Sequence, residues 1–139
     1  MFQMFNAKKF NPKDLLNKLF FQNNDLKKLN NLGHIIGLHS HSHPTLFEKF
    51  NYDEQKNEYE KCLSLISDFL DKPKNQIKSM SYPCGSYNSD TLKVLKELGM
   101  ELGFKQTMNV EPEKGMKKIN NSFLEIARED HTTIFRRMN

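Results

Sequence analysis

The sequence has 139 residues, of which 37% are hydrophobic and 27% are charged, and its formal net charge is +4. This length and composition favour one soluble domain with its own core, and no apolar run approaches the roughly 20 residues that cross a bilayer. Lysines alternate with acids along the predicted helices, as in residues 56–61, which is typical of solvated helix faces and argues against a nucleic-acid partner. No basic segment precedes an apolar one at the N-terminus, so a cytoplasmic location is expected.

Short apolar runs alternate with amphipathic stretches along the chain. Leucines and other apolar residues at i, i+3 and i+4 spacing predict helices, and the short apolar runs between them predict buried strands. This alternation favours parallel β/α units, in which chemistry collects at the C-terminal ends of strands. In chain order, the predicted elements are a helix over 14–21, a helix from Asp25 to a stop at Gly33, a strand over Ile35–Leu38, a helix from Asn51 or Asp53 to Pro73, a strand over Ile77–Tyr82, a helix from Ser89 or Asp90 to Gly99, strands over Met100–Thr107 and Ser122–Ala127, and a helix over Thr132–Arg137.

Three of the five histidines, His39, His41 and His43, follow the first predicted strand at alternate positions. An extended chain would send all three to one face, whereas a turn would bring His39 and His43 together and send His41 elsewhere. Either arrangement lets two imidazoles converge on one cation, and imidazole suits zinc, cobalt, nickel and iron. The alternative is that the three rings simply face solvent. We predict a metal site, with a carboxylate from another strand as its third ligand.

Two segments carry a resemblance to a known family. Gly33–Pro44 resembles the second motif of the NodB-type polysaccharide deacetylases (carbohydrate esterase family four), and Ser81–Asn88 is similar to that family's Tyr-Pro-x-Gly-x-Tyr-Asn turn. The motifs stand in the family's order, and the resemblance covers roughly residues 30–105. It implies an α/β fold, a partial or deformed (β/α) barrel that lacks the first strand, with residues 1–139 forming one incomplete deacetylase domain.

The resemblance also implies a function and a set of site residues. The expected activity is a metal-dependent hydrolase that removes N- or O-acetyl groups from an acetylated sugar or polysaccharide, with zinc as the expected metal and cobalt or nickel as alternatives. Carried over by position, the implied roles are metal ligation by His39 and His43, oxyanion donation by the backbone of Cys84, a substrate-groove wall formed by Tyr82, Pro83, Gly85 and Tyr87, a general acid at His131 and an orienting role for Arg128.

The family's Asp-Asp pair, which supplies the general base and the third metal ligand, is not found in the sequence. Only Asp14 and Asp25 precede His39, and general-base help contributes roughly 10²–10⁴ in rate. One alternative is therefore a catalytically inactive carbohydrate-binding or interaction remnant of a deacetylase. Another is a phosphoesterase or amidohydrolase, since residues 38–41 fit a Leu-His-x-His strand. A missing first strand would leave an unpaired edge, so association with an N-terminal fragment or a second copy is expected.

Overall fold

A computed structural model describes residues 11, 19–108, 122–129 and 131–138, and the chain divides into two units, residues 1–34 and 35–139. The first unit contains helix α1, Asn23–Asn31. The sequence predicted Asp25 as its cap, but the cap is Gln22, and the Asp25 carboxylate accepts from the Gln22 amide at 3.0 Å from within the first turn. Gly33, at φ +91°, follows the helix as predicted. Residues 14–18 of the first predicted helix lie outside the described residues.

Four parallel segments of the second unit pair in chain order. Strand β1, Ser79–Ser81, pairs with strand β2, Leu102–Phe104, so that Met80 lies opposite Gly103. Single parallel bridges extend this pair on both sides, from Leu38 to Met80 and from Phe104 to Ile126. The sequence therefore identified the four segments and their parallel arrangement correctly, and it overestimated their lengths.

The predicted strands at 35–38 and 122–127 are each reduced to one bridge. At the first, only Leu38 bonds to β1, and no partner lies on its other side among the residues that the structure describes. At the second, residues Phe123–Glu125 form a 3₁₀ turn closed by a bond of 2.9 Å from the Glu125 amide to the Ser122 carbonyl, which leaves Ile126 to pair.

Three α-helices accompany these segments within the described residues: α2 at Tyr52–Leu70, α3 at Ser89–Glu97 and α4 at His131–Met138. Helix α2 begins at Asn51, one of the two predicted caps, whose side chain accepts from the Glu54 amide. The cap of α3 is Asn88 rather than Ser89 or Asp90, because the Asn88 amide oxygen accepts from two backbone N–H groups of the first turn. None of the described helices is long and apolar enough to cross a membrane.

The core lies between α2, α3 and one face of the parallel segments. Successive side chains of an extended segment point to opposite faces, so Leu38 and Met80 enter the core while His39 and Ser81 do not. Burial of each large apolar side chain contributes about 1.5–3 kcal/mol. The core cluster comprises Leu38, Phe47, Tyr59, Cys62, Leu63, Ile77, Met80, Tyr82, Tyr87, Val94, Leu95, Met100 and Leu124. This packing fixes the end of segment 35–38, where the histidines begin.

Candidate metal site on the histidine loop

His39 is the first residue of the histidine loop, His39–His43, and is held by β1. The backbone of Leu38 accepts from Ser81 and donates to Ser79, both at 2.9 Å, which places His39 beside the end of the strand. The His39 Nδ1 lies 2.8 Å from the Ser81 carbonyl oxygen and 3.0 Å from the Ser81 hydroxyl. A carbonyl only accepts, so Nδ1 donates this bond, and the tautomer of a neutral imidazole that fits it has its lone pair on Nε2. Metal-ligating histidines are oriented by this kind of contact.

His43 lies beside His39 because the loop turns. The two ring centroids are 4.9 Å apart and the rings meet edge to face. Ser40 and His43 both take left-handed backbone conformations, at φ 60° and 55°, and the Ser40 hydroxyl accepts from the His43 amide at 3.1 Å. Of the two arrangements that the sequence left open, the structure shows the turn, and the ring contact described here joins His39 to His43 rather than to His41.

Glu58, on helix α2, anchors the middle of the histidine loop. Its carboxylate accepts from the His41 amide at 3.1 Å, from the Ser42 amide at 2.8 Å and from the Ser42 hydroxyl at 3.0 Å. Burial raises the pKa of Glu58, but these hydrogen bonds and the charge of His41 outweigh it, so the pKa lies below its usual value and the group is ionised. Sequence reasoning missed Glu58, although its position four residues before Cys62 places it on the buried stripe of the helix.

The Pro83–Gly85 turn contains a backbone N–H without a described partner. Cys84 has a left-handed conformation, at φ 51°, and its side chain is exposed. The neighbouring amides are used, since Gly85 donates to the Tyr82 carbonyl at 3.1 Å and Ser86 to the Pro83 carbonyl at 2.9 Å. Within the described part of the chain, the Cys84 N–H has no hydrogen-bond partner.

The two tyrosines of the second motif are core residues. Tyr82 and Tyr87 are 1% and 6% exposed, and their rings stack with centroids 4.2 Å apart. The Tyr82 hydroxyl donates to the Leu124 carbonyl at 2.6 Å, and the Tyr87 hydroxyl donates to Glu125 at 3.1 Å. These two rings and Pro83 are therefore buried in the described structure, and the groove-wall role that the resemblance implies for them stays a prediction. Gly85 alone of the four is partly exposed.

Arg128 and His131 occupy different positions relative to the histidine loop. Arg128, together with His39, Ser81 and Phe104, lines an open depression of about 340 Å³ on the face opposite the core. Its Nε donates to the Lys105 carbonyl at 2.6 Å, which fixes the guanidinium beside the sheet. His131 is exposed at the first turn of α4, and no described contact joins it to the loop.

The histidine loop offers some of the donor atoms that a divalent transition metal would need. Two imidazoles come together, and Nδ1 of one of them is engaged by the Ser81 carbonyl, which leaves Nε2 as its available nitrogen. A hydrolytic zinc site has three protein ligands as a rule. Among the described residues, no group of three His, Cys, Asp or Glu side chains could hold an ion. The described part of the chain therefore brings two imidazole rings together without a third side chain of these types beside them.

The sequence profile of the polysaccharide deacetylase family matches residues 5–103. The chain therefore belongs to the polysaccharide deacetylase family. No curated relative matches it.

Three solved structures share its fold. They are the deacetylase PplD of Streptococcus pyogenes in complex with acetate (TM-score 0.64, 19% identity, 79% of this chain and 45% of that one), the deacetylase domain of BpsB from Bordetella bronchiseptica (0.61, 17%, 79% and 48%), and wild-type BA3943 from Bacillus anthracis, a pseudoenzyme of carbohydrate esterase family four (0.54, 19%, 62% and 29%). The chain thus spans less than half the length of each.

Proposed function

We propose that the chain binds a divalent metal, zinc in preference to cobalt or nickel, through Nε2 of His39 and the ring of His43, in a deacetylase-type hydrolase site. One observation carries this proposal: the Ser81 carbonyl fixes the His39 proton on Nδ1 while the His43 ring lies 4.9 Å away. Second contacts that set the tautomer raise the basicity of the ligating nitrogen. Exposure of both rings leaves the pair open to an ion and a substrate.

The proposed substrate is an acetylated sugar or polysaccharide, from which an acetyl group is removed by hydrolysis. The metal would supply Lewis-acid activation of water and of the acetyl carbonyl. The Cys84 N–H, which has no hydrogen-bond partner among the described residues, is the proposed donor to the oxyanion. Gly85, which is partly exposed beside it, is proposed to line the substrate groove. Arg128, on the depression that His39 also lines, is proposed to orient a carboxylate or the substrate. His131 is retained as the proposed general acid on sequence position alone.

We infer that the four parallel segments form part of a deformed (β/α) barrel. Their pairing in chain order, with helices α2 and α3 covering one face, is the arrangement found in β/α barrels. The depression that holds His39 lies on the other face, which would be the barrel interior. Segment 35–38 would then be the edge at which a further strand, from an N-terminal fragment or a second copy, adds.

A second function is supported by the same site. The described residues offer two ligands, and the sequence contains no Asp-Asp pair to supply a third ligand and a base. A chain of this kind could bind an acetylated carbohydrate without cleaving it, and one of the similar structures is a pseudoenzyme. Membership of the deacetylase family favours both of these functions over the phosphoesterase or amidohydrolase alternative.

Calorimetric titration with zinc tests the metal proposal. The wild type is expected to bind one ion, and His39→Ala and His43→Ala should each weaken binding by more than the roughly 10–100-fold that loss of a supporting contact costs. His41→Ala is the matched control, because His41 is exposed on the same loop and lacks the ring contact. Equal binding by all four proteins would refute the site.

An acetate-release assay distinguishes an active deacetylase from a catalytically inactive, carbohydrate-binding remnant. The purified chain is incubated with N-acetylated chitin oligomers and with peptidoglycan, with and without zinc, and acetate is quantified. Zinc-dependent release that is lost in His39→Ala supports the hydrolase. Saturable oligomer binding without release above the metal-only background supports the carbohydrate-binding alternative, and neither binding nor release would refute both.

A further inference from the structure

Glu58 is a buried charged residue that the proposed metal site does not use as a ligand. It is 9% exposed, and among the described residues no lysine or arginine forms an ion pair with it. Buried carboxylates are rare unless they are paired or fully hydrogen-bonded. The hydrogen bonds described for its carboxylate all go to the histidine loop, to the backbone amides of His41 and Ser42 and to the Ser42 hydroxyl. Helix α2 therefore places a buried carboxylate in position to bind this loop.

The histidine loop contains strained backbone conformations, so it needs contacts from outside the loop to hold them. Ser40 and His43 both have positive φ values without being glycine, and such conformations cost of order 1–3 kcal/mol each and persist only where the surroundings enforce them. The Ser40 hydroxyl accepts the His43 amide, which closes the turn from inside. Glu58 accepts the amides of the two residues between them, so that the turn is held from outside as well.

We propose that Glu58 is a positioning residue for the metal site: its three hydrogen bonds hold the left-handed turn that places the His43 ring beside His39. This inference rests on the proposed metal-binding function of that pair. Glu58 itself does not touch either ring in the contacts described. Its effect passes through the backbone of residues 41 and 42 to the orientation of His43.

The test compares Glu58→Gln and Glu58→Ala with the wild type. A glutamine keeps the shape and one accepting oxygen, whereas alanine removes every bond, so zinc affinity should fall in the order wild type, Gln, Ala, with a loss on the order of tenfold or more for alanine. Glu60→Ala is the matched control, because Glu60 is an exposed carboxylate on the same helix. A loss of equal size in Glu60→Ala would show a general charge effect and overturn the proposal.

A second readout does not depend on metal. In the metal-free wild type, a nuclear Overhauser effect between the ring protons of His39 and His43 is expected, since their centroids are 4.9 Å apart. The effect should weaken in Glu58→Gln and vanish in Glu58→Ala. If Glu58→Ala does not fold, the glutamine variant carries the test. An unchanged effect in a folded variant overturns the role of Glu58, whereas a wild type that shows the effect and binds no zinc overturns the metal site alone.

Discussion

Substitution of Gly37 by alanine tests how the histidine loop is attached to the sheet. A Cβ at Gly37 would lie 2.6 Å from both the carbonyl and the hydroxyl oxygen of Ser79, whereas ordinary contact begins at 3.4 Å. Segment 35–38 must therefore move away by about 0.8 Å. The same Ser79 carbonyl accepts from the Leu38 amide at 2.9 Å, so the movement stretches the bond that pairs the segment with β1.

The expected loss of stability combines two effects. Overpacking of a close contact costs about 1–3 kcal/mol, and a lost backbone hydrogen bond costs about 0.5–1.5 kcal/mol. The free energy of unfolding of Gly37→Ala should therefore fall by about 1.5–4.5 kcal/mol. Urea denaturation followed by circular dichroism measures this change. Zinc affinity should fall too, because displacement of Leu38 separates His39 from the Ser81 carbonyl.

A double substitution locates the clash. Ser79→Ala removes the hydroxyl but leaves the carbonyl in place, so Gly37→Ala combined with Ser79→Ala should recover less than half of the loss. Ser79→Ala alone is the control for the loss of the hydroxyl. If the free energy of unfolding of Gly37→Ala lies within about 0.5 kcal/mol of the wild-type value, the close approach of Gly37 to Ser79 does not hold the segment. Full recovery in the double variant would assign the clash to the side chain instead of the strand backbone.

Three further predictions concern buried polar groups. Tyr59→Phe should leave the free energy of unfolding unchanged or raise it by up to about 1 kcal/mol, because the buried Tyr59 hydroxyl has no partner among the described residues; a loss above 1 kcal/mol in urea denaturation would contradict this. Tyr87→Phe should lower it by about 1–3 kcal/mol in the same assay, because the buried Glu125 carboxylate loses a donor; an unchanged midpoint would contradict this. The pKa of Glu58 in the folded protein is lowered from 4.5. The stability that its ionised carboxylate contributes is therefore present above pH 4.5 and is lost as the pH falls through the folded-state pKa. Tyr59, Cys62 and His41 are titratable groups that face Glu58. The stability gap between wild type and Glu58→Gln, measured from pH 7 down to 3, should therefore narrow on acidification, and a gap that widens would reverse the sign argued here.

Local patterns in the sequence predicted the order of the elements because each was carried by neighbouring residues. The apolar stripe and the Asn51 cap of α2 and the glycines after α1 and α3 are signals of this kind. Strand lengths were predicted less well, since pairing depends on partners elsewhere in the chain. Residues 122–125 show this, because Ser122 and Glu125 bond to each other and take the segment out of the ladder.

The motif of the second turn illustrates a different limit. The sequence indicates an aromatic, proline-containing turn, but it does not show whether the tyrosine rings of that turn point into the core or towards solvent. Tyr82 and Tyr87 are directed inward because their hydroxyls find partners at Leu124 and Glu125, about 40 positions further along the chain. Such distant partners are not visible in the motif itself, so residues expected to meet a substrate are found in the core.

The histidine pair depends most on contacts between distant residues. Alternate spacing alone left two arrangements open, and the choice between them is made by groups outside the motif as well as by Ser40. The Ser81 carbonyl, 42 positions after His39, sets its tautomer, and Glu58, 16 positions after Ser42, holds the turn. Both partners require that α2 and β1 already pack on segment 35–38, which the core residues Leu38, Tyr59 and Met80 achieve. The geometry of the pair is therefore a product of the folded core, so a substitution in that core should lower metal affinity in proportion to how far it displaces Leu38.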